Sequence, residues 1–573
     1  MLDCVIRSGK VTDGTGRPAE TADVAISSGR VVAVGHVDEP AREVIDASGL
    51  VVCPGFVDPH THYDAQFFWD PYANPSSLHG VTSVIAGNCS FALAPLRAQD
   101  ADYTRRMMAR VEGMPLQALE EGVPWNWESF GEYLDALEGR IGVNAGFIAG
   151  HSALRRYVLG ADANRRAASP RELERLSLIL DEALAAGALG LSVDISDSHM
   201  DGDGAPIPAK GATPEERLAL CEVVARHEGT MLSGIFEGGS NGWSEFELDH
   251  LTRMSATANR VLNWNLLVVD ASVPERARQQ LSLSHHARAH GGRIIALLMP
   301  VIVPMNMSFG NYCAFFLIPG WRETMALPPV ERMAALADSD TRRMLEAKAR
   351  SREAGMFRRL SDFAGYVIGD TYSAANEGLT GRTVRDIAAE RGVEPFDALV
   401  DIALADELRT VLWPSAPDDD EAHWALRASL WEDPDVLLAG SDAGAHLDRM
   451  CGGSYPTQFL ADCLRGRQMM SLERAVHELS AKPAQLFGLR DRGVVAPGAH
   501  ADLVVFDPET IAAEPARLVH DLPGGCARLT ADSIGIRHVF VNGVETVRDG
   551  KIMGATPGTV LRSGRDTDTV TAR

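Results

Sequence analysis

Val51-Val52-Cys53-Pro54-Gly55-Phe56-Val57-Asp58-Pro59-His60-Thr61-His62 is an apolar run of strand length that ends in two histidines one residue apart. Side chains two apart on an extended chain point the same way. A buried strand here therefore presents His60 and His62 on one face of its carboxyl end. The first run is taken as 51–57, and seven more follow at 83–88, 142–149, 188–195, 230–236, 260–268, 293–299 and 436–441. Helical patterns separate them. Ser169-Pro170-Arg171-Glu172 has the form of a capping box with proline at the first helical position, ahead of a stripe of Leu173, Leu176, Leu180 and Leu184. Thr213-Pro214-Glu215-Glu216 repeats the device before Leu220, Val223 and Val224. Eight strands alternating with helices predict an α/β chain whose body is a (β/α)8 TIM-like barrel.

Outward from that body, both chain ends read as β structure. Val5-Ile6, Val24-Ala25-Ile26 and Val31-Val32-Ala33-Val34 are short strands, and so is Ala501–Asp507. Val539-Phe540-Val541-Asn542-Gly543-Val544 carries the Asn-Gly pair of a type I′ hairpin. The expected division is a β-sandwich from 1–51 plus 492–573 and a barrel from 52–300 plus 431–491. The stretch 301–430 is too long for a strand-to-helix connection. With helical patterns near 329–360 and 383–404, it is expected to be a helical subdomain inserted between the last two barrel strands, over the barrel mouth.

The chain has 573 residues, 45% hydrophobic and 23% charged, and a net charge of −24. That composition is globular. So acidic a surface repels phosphate backbones and anionic lipid heads, which excludes nucleic acid and membranes as expected partners. A small-molecule substrate is expected, with room for a homo-oligomer. The eight scattered cysteines lack any Cys-x-x-Cys pair and suit a reduced cytoplasm. The amino terminus has no signal-peptide pattern, and no apolar run reaches membrane-spanning length. Lysine occurs only at 10, 210, 348, 482 and 551, which leaves few groups for Schiff-base or carbamylated-lysine chemistry.

Paired imidazoles suit zinc and similar divalent metals. Val436-Leu437-Leu438-Ala439-Gly440-Ser441-Asp442-Ala443-Gly444-Ala445-His446 puts a carboxylate at the end of strand eight, which neighbours strand one in a closed barrel. Asp442 is thus expected beside His60 and His62, as a metal ligand and as the group that takes a proton from activated water and passes it to a leaving amine.

This combination resembles the amidohydrolase superfamily. Gly87-Asn88-Cys89-Ser90, after strand two, and Gly150-His151-Ser152-Ala153-Leu154-Arg155, after strand three, resemble its N-acyl-D-amino-acid deacylase (D-aminoacylase) branch. The resemblance covers nearly the whole chain. It implies that Cys89 is a metal ligand in place of a carbamylated lysine. On its own chemistry a cysteine after a buried strand is commonly a small core residue, but one strand away from two histidines it becomes a soft donor.

The branch also places metal-binding histidines at the ends of strands five and six. Here those strands read Thr230-Met231-Leu232-Ser233-Gly234-Ile235-Phe236-Glu237 and Arg260-Val261-Leu262-Asn263-Trp264-Asn265-Leu266, without a histidine. One divalent ion, zinc foremost, is therefore expected on His60, His62, Cys89 and Asp442, and a second site is in doubt. Four protein ligands leave a tetrahedral ion no place for water, so catalysis needs five-coordination or a ligand that stands back. Glu237 is a weaker ligand candidate. It joins Asn263, Asn265, His199, His446 and Arg449 as candidate substrate-binding groups, while His151 is a candidate for polarising a carbonyl alongside Asp442. His500 and His538 read as structural, and His285, His286 and His290 as a solvated helix face.

The leading expectation is a metal-dependent hydrolase of an N-acyl amino acid or related small amide, of D configuration if the resemblance holds. The same barrel and metal opening a cyclic amide, or acting as a decarboxylase or lyase, is the second. A non-enzymatic binding scaffold is the third.

Overall fold

Each of the eight runs contains a strand, and the pairings between them are parallel. The computed structural model describes residues 1–573 apart from 198, 311–312 and 417, and apart from the side chains at 240–241, 317 and 355–356. Phe56–Asp58 pairs with Val81–Ala86, which pairs with Asn144–Phe147. The third strand resumes after Ile148 as Ala149–Gly150 and pairs with Gly190–Asp194. Met231–Ile235, Leu262–Trp264, Ile294–Leu298 and Val436–Leu438 continue the series in order. The last strand returns to the first just beyond both: Thr61 bridges Ala443, and the His62 amide donates to the Ala443 carbonyl at 2.7 Å.

Inward side chains fill the base of this ring. Val57, Ile85, Ile148, Leu189, Met231, Val261, Ile295 and Leu437 form one buried cluster. Each such aliphatic side chain contributes about 1.5–3 kcal/mol of burial. Trp264, on the other face of strand six, is fully buried. One partner was not foreseen. Val560–Leu561 pairs in parallel with Ala145–Gly146, so the amino half of strand three is completed from the far end of the chain.

The chain ends build one β unit, in which hydrogen bonding runs unbroken through nine strands. Val51–Pro54 lies between Leu2–Val11 and Leu503–Phe506. The split of the 51–57 run at Gly55 follows from this double duty: its first half belongs to the terminal sheet and its second to the parallel set. Asn542 and Gly543 both have positive φ between the strands Ile536–Val541 and Val544–Arg548, as a type I′ hairpin requires.

The helix signals behave locally. Ser169 and Glu172 form the full reciprocal box. Thr213 accepts from the Glu216 amide, but the Glu216 carboxylate turns inward to His151 and Arg155 and does not return to the cap.

The chain divides into two compact units, Met1–Val301 with Ala425–Arg573, and Ile302–Trp424. The second has its own aromatic core, in which Phe315 and Trp321 approach to 4.6 Å, as do Phe363 and Phe396. Its first helical pattern is broken at Asp338, which ends the helix Pro329–Ala337 and caps the next, Ser339–Arg350, by accepting from the Thr341 amide. No helix among the described residues is long and apolar enough to cross a membrane.

Candidate active site

The carboxyl end of the first parallel strand is shaped by Asp58 and Thr61. Asp58 accepts from the His60 amide at 3.4 Å, and the Thr61 amide and hydroxyl both bond the Ile85 carbonyl of strand two. Thr61 is thus turned outward, and His60 and His62 point inward with ring centroids 5.4 Å apart. Both rings are about 1% exposed.

Strand two ends in the turn Gly87–Ser90. Asn88 donates to the Ile85 and Thr61 carbonyls and accepts from Ser233 of strand five. Cys89 and Ser90 both adopt left-handed backbone, at φ 53 and 66. This costly conformation for non-glycine residues carries the Cys89 sulfur to 3.5 Å from His60 Nε2. Strand eight delivers Asp442, also left-handed at φ 58, with Oδ1 3.1 Å from His62 Nε2 and 3.6 Å from His60 Nε2. Gly444 lets this turn close on strand one, because a Cβ there would stand 2.6 Å from the His62 carbonyl group.

Four side chains from three strand ends thus converge. Ligand atoms of His60, His62 and Cys89 lie within 4.8 Å of one another, with the Asp442 carboxylate beside them. His62 Nε2, which faces Asp442, is buried without a hydrogen-bond partner. Buried polar atoms are normally satisfied, so this deficit fits a cation. Two nitrogens, one sulfur and an adjacent carboxylate suit a zinc-like ion. Burial pulls His60 down to about 3 and pushes the Cys89 thiol up to about 12. Burial also opposes charge on His62, but Glu112 and Asp442 outweigh it and hold the ring above its ordinary value. The Asp442 carboxyl, despite burial, is held below the usual carboxylate range by His62 and His446.

The other candidates separate. His446 Nε2 is 3.6 Å from Asp442, and its Nδ1 meets Arg449 Nη2 at 2.9 Å, so this pair borders the cluster. Asn265 reaches the Cys89 sulfur at 3.7 Å. Asn263 does not: it donates to the Leu232 carbonyl and faces the ring's apolar base, near Met231, Val261 and Phe487. Glu237 accepts from the Asp197 amide and supplies no ligand to the cluster. His199 binds buried Asp194 of strand four at 2.5 Å. His151 is fully buried against Glu216 at 2.8 Å, with Arg155 on the second carboxylate oxygen. The expectation that His151 polarises a carbonyl is therefore corrected: its Nε2 is committed to an ion-pair network with Glu216 and Arg155, and its Nδ1 is closed off from solvent in the interior. The other His/Asp group among the described residues is exposed at His285, and its Asp435 is ion-paired with Arg288.

Two acidic residues were missed. Asp194 had a readable signal, a carboxylate at the end of a barrel strand. Glu112 had none: it caps the helix Ala101–Val111, far from any strand end, yet its Oε1 lies 3.4 Å from His62 Nδ1. Burial raises this carboxyl to about 7.

Residues 43–553 match the model of the Amidohydrolase family. An uncharacterized protein of Mycobacterium tuberculosis is 32% identical over 538 residues, covering 88% of this chain and 84% of that one. The D-aminoacylase of Alcaligenes xylosoxydans xylosoxydans is 29% identical over 568 residues, covering 98% and 97%. Among solved structures, N-acyl-D-glutamate deacylase from Bordetella bronchiseptica, in complex with zinc and a phosphonate mimic of the tetrahedral intermediate, superposes with a TM-score of 0.63 at 25% identity over 98% of this chain and 100% of that one.

Proposed function

Because the chain belongs to the amidohydrolase family, we propose that it is a metal-dependent hydrolase that cleaves the amide C–N bond of an N-acyl-D-amino acid. The observation that carries this reading is the convergence of His60, His62, Cys89 and Asp442 on one point. His60, His62 and Cys89 would hold one divalent cation, zinc by preference, with Asp442 at its edge. When bound, such an ion activates water and polarises a carbonyl oxygen.

The chain's own groups supply the rest. Asp442, with its side chain 28% exposed, is the member of the set open to substrate. Its low pKa keeps it ionised at neutral pH, so it can accept the proton of the attacking water and release it to the leaving nitrogen. Asn265, His446 and Arg449 border that position. The Arg449 guanidinium suits the substrate's carboxylate. His199, fixed by Asp194, is a further contact on the strand-four side.

The accompanying fold reading is a closed (β/α)8 barrel of 52–300 plus 431–491, a β-sandwich from 1–51 plus 492–573, and a helical insertion at 301–430. Eight unpaired cysteines support a cytoplasmic address.

Purified protein incubated with N-acetyl-D- and N-acetyl-L-amino acids tests the activity. The expected result is free amine from the D series, with products heavier than substrate by one water in total. Loss of carbon dioxide would mark a decarboxylase instead. No turnover of any amide, with zinc bound, would remove the reading.

A further inference from the structure

We propose that Glu112 is a positioning residue for the metal site: it holds the His62 ring in the tautomer and orientation that present Nε2 to the cation. This rests on the metal-site reading above. The ring's two nitrogens face different partners. Nε2 lies on the side of Asp442, at 3.1 Å, and Nδ1 on the side of Glu112, at 3.4 Å. A neutral imidazole that binds through one nitrogen carries its proton on the other. Among the described residues, Glu112 is the only carboxylate paired with Nδ1, and His62 is its only ion-pair partner. A 3% exposed carboxylate whose one ion-pair partner among the described residues is His62 is costly unless that partner uses its charge.

Glu112 is also held where a positioning group must be. Its amide closes the helix Ala101–Val111 on Met108, and its carbonyl accepts from the amide of His446. The next residue, Gly113, has φ +56, and a Cβ there would meet Arg449 Nη2 at 2.0 Å and the His446 Cα at 3.2 Å. The turn is therefore packed directly on the strand-eight loop that carries Asp442. A carboxylate, an imidazole and the catalytic acid are fixed relative to one another by backbone, so the pair is built into the site.

The test is zinc affinity of the full chain, measured by chelator competition on wild type, Glu112→Gln and Glu112→Asp, with circular dichroism and melting of the metal-free proteins alongside. Removing a carboxylate that orients a ligating histidine weakens metal binding about 10- to 100-fold. Glu112→Gln is expected to show that loss while the metal-free melt stays within a few degrees of wild type. Glu112→Asp, which keeps the charge on a shorter arm, is expected to recover part of it. Zinc affinity within threefold of wild type in both variants would overturn the proposal and leave the metal site standing. A wild type that holds no zinc would remove both. Should the variants not fold, a crystal structure of zinc-loaded wild type decides. His62 bound through Nε2 with Nδ1 within about 3.2 Å of Glu112 supports the proposal, and binding through Nδ1 overturns it.

Discussion

Oδ1 of Asp442 stands 3.1 Å from Nε2 of His62, so the last strand of the parallel series completes a site begun by the first. The contact depends on Gly444, which brings backbone against backbone where a side chain would collide. Asp442→Asn keeps the shape and removes the proton acceptor. Turnover is expected to fall about 10²- to 10⁴-fold, the usual weight of general acid–base catalysis, with zinc content unchanged within twofold. Steady-state kinetics and elemental analysis on the same preparation check both halves.

The Cys89 thiol, pushed up to about 12 by burial, is protonated in the metal-free protein at neutral pH. A metal binds the thiolate, so loading releases that proton. Zinc titration of wild type in weakly buffered solution at pH 7.5 is expected to release about one proton more than Cys89→Ser does. Equal release by the two proteins would show that the sulfur stays outside the site.

Glu216 is the counter-ion of fully buried Arg155 and the partner of His151. Glu216→Ala leaves a buried guanidinium uncompensated, and breaking a buried pair this way costs about 3–5 kcal/mol. A urea titration of the unit that holds it should record that loss, while zinc affinity is retained. If zinc affinity fell in parallel, His151 would be tied to the metal site after all.

His79 supplies a pH signature. Fully buried, it bonds Thr457 and the Ala531 carbonyl, and burial pulls it from 6.5 down to about 4. A depressed folded-state value means that the unfolded chain takes the proton first. The stability is complete above pH 6.5 and lost as pH falls from there toward 4. At pH 5 the loss from this one ring is about 2 kcal/mol. Wild type should therefore lose that much more than His79→Gln between pH 8 and pH 5 in matched urea titrations.

What the sequence made legible was periodic or local. The parallel strands announced themselves as apolar runs, and the Ser169–Glu172 box closed as its spacing required. His60, His62, Cys89 and Asp442 could be read because each follows the carboxyl end of a parallel strand, where active-site groups gather in α/β sheets. Glu112 could not, since its place at His62 depends on a helix end meeting a loop from the other end of the chain. Glu216 misled for a related reason. Its spacing fits a capping box, but a buried arginine and histidine made a stronger claim on the same carboxylate. Asn263 was misplaced by parity: it shares a face with Asn265 along the strand, yet lies two residues nearer the apolar base of the ring.

The pairing of Val560–Leu561 with Ala145–Gly146 bears on how the molecule is made. A ribosome delivers strands in order, and all eight have emerged before the residues that flank the third have been translated. Until then the Ala145 amide, which ends on the Thr559 carbonyl, has no native acceptor. The catalytic end of the ring can gather early, but its opposite rim closes only once residues 559–561 have been made, so the parallel strands must wait, partly open, for a partner translated long after them.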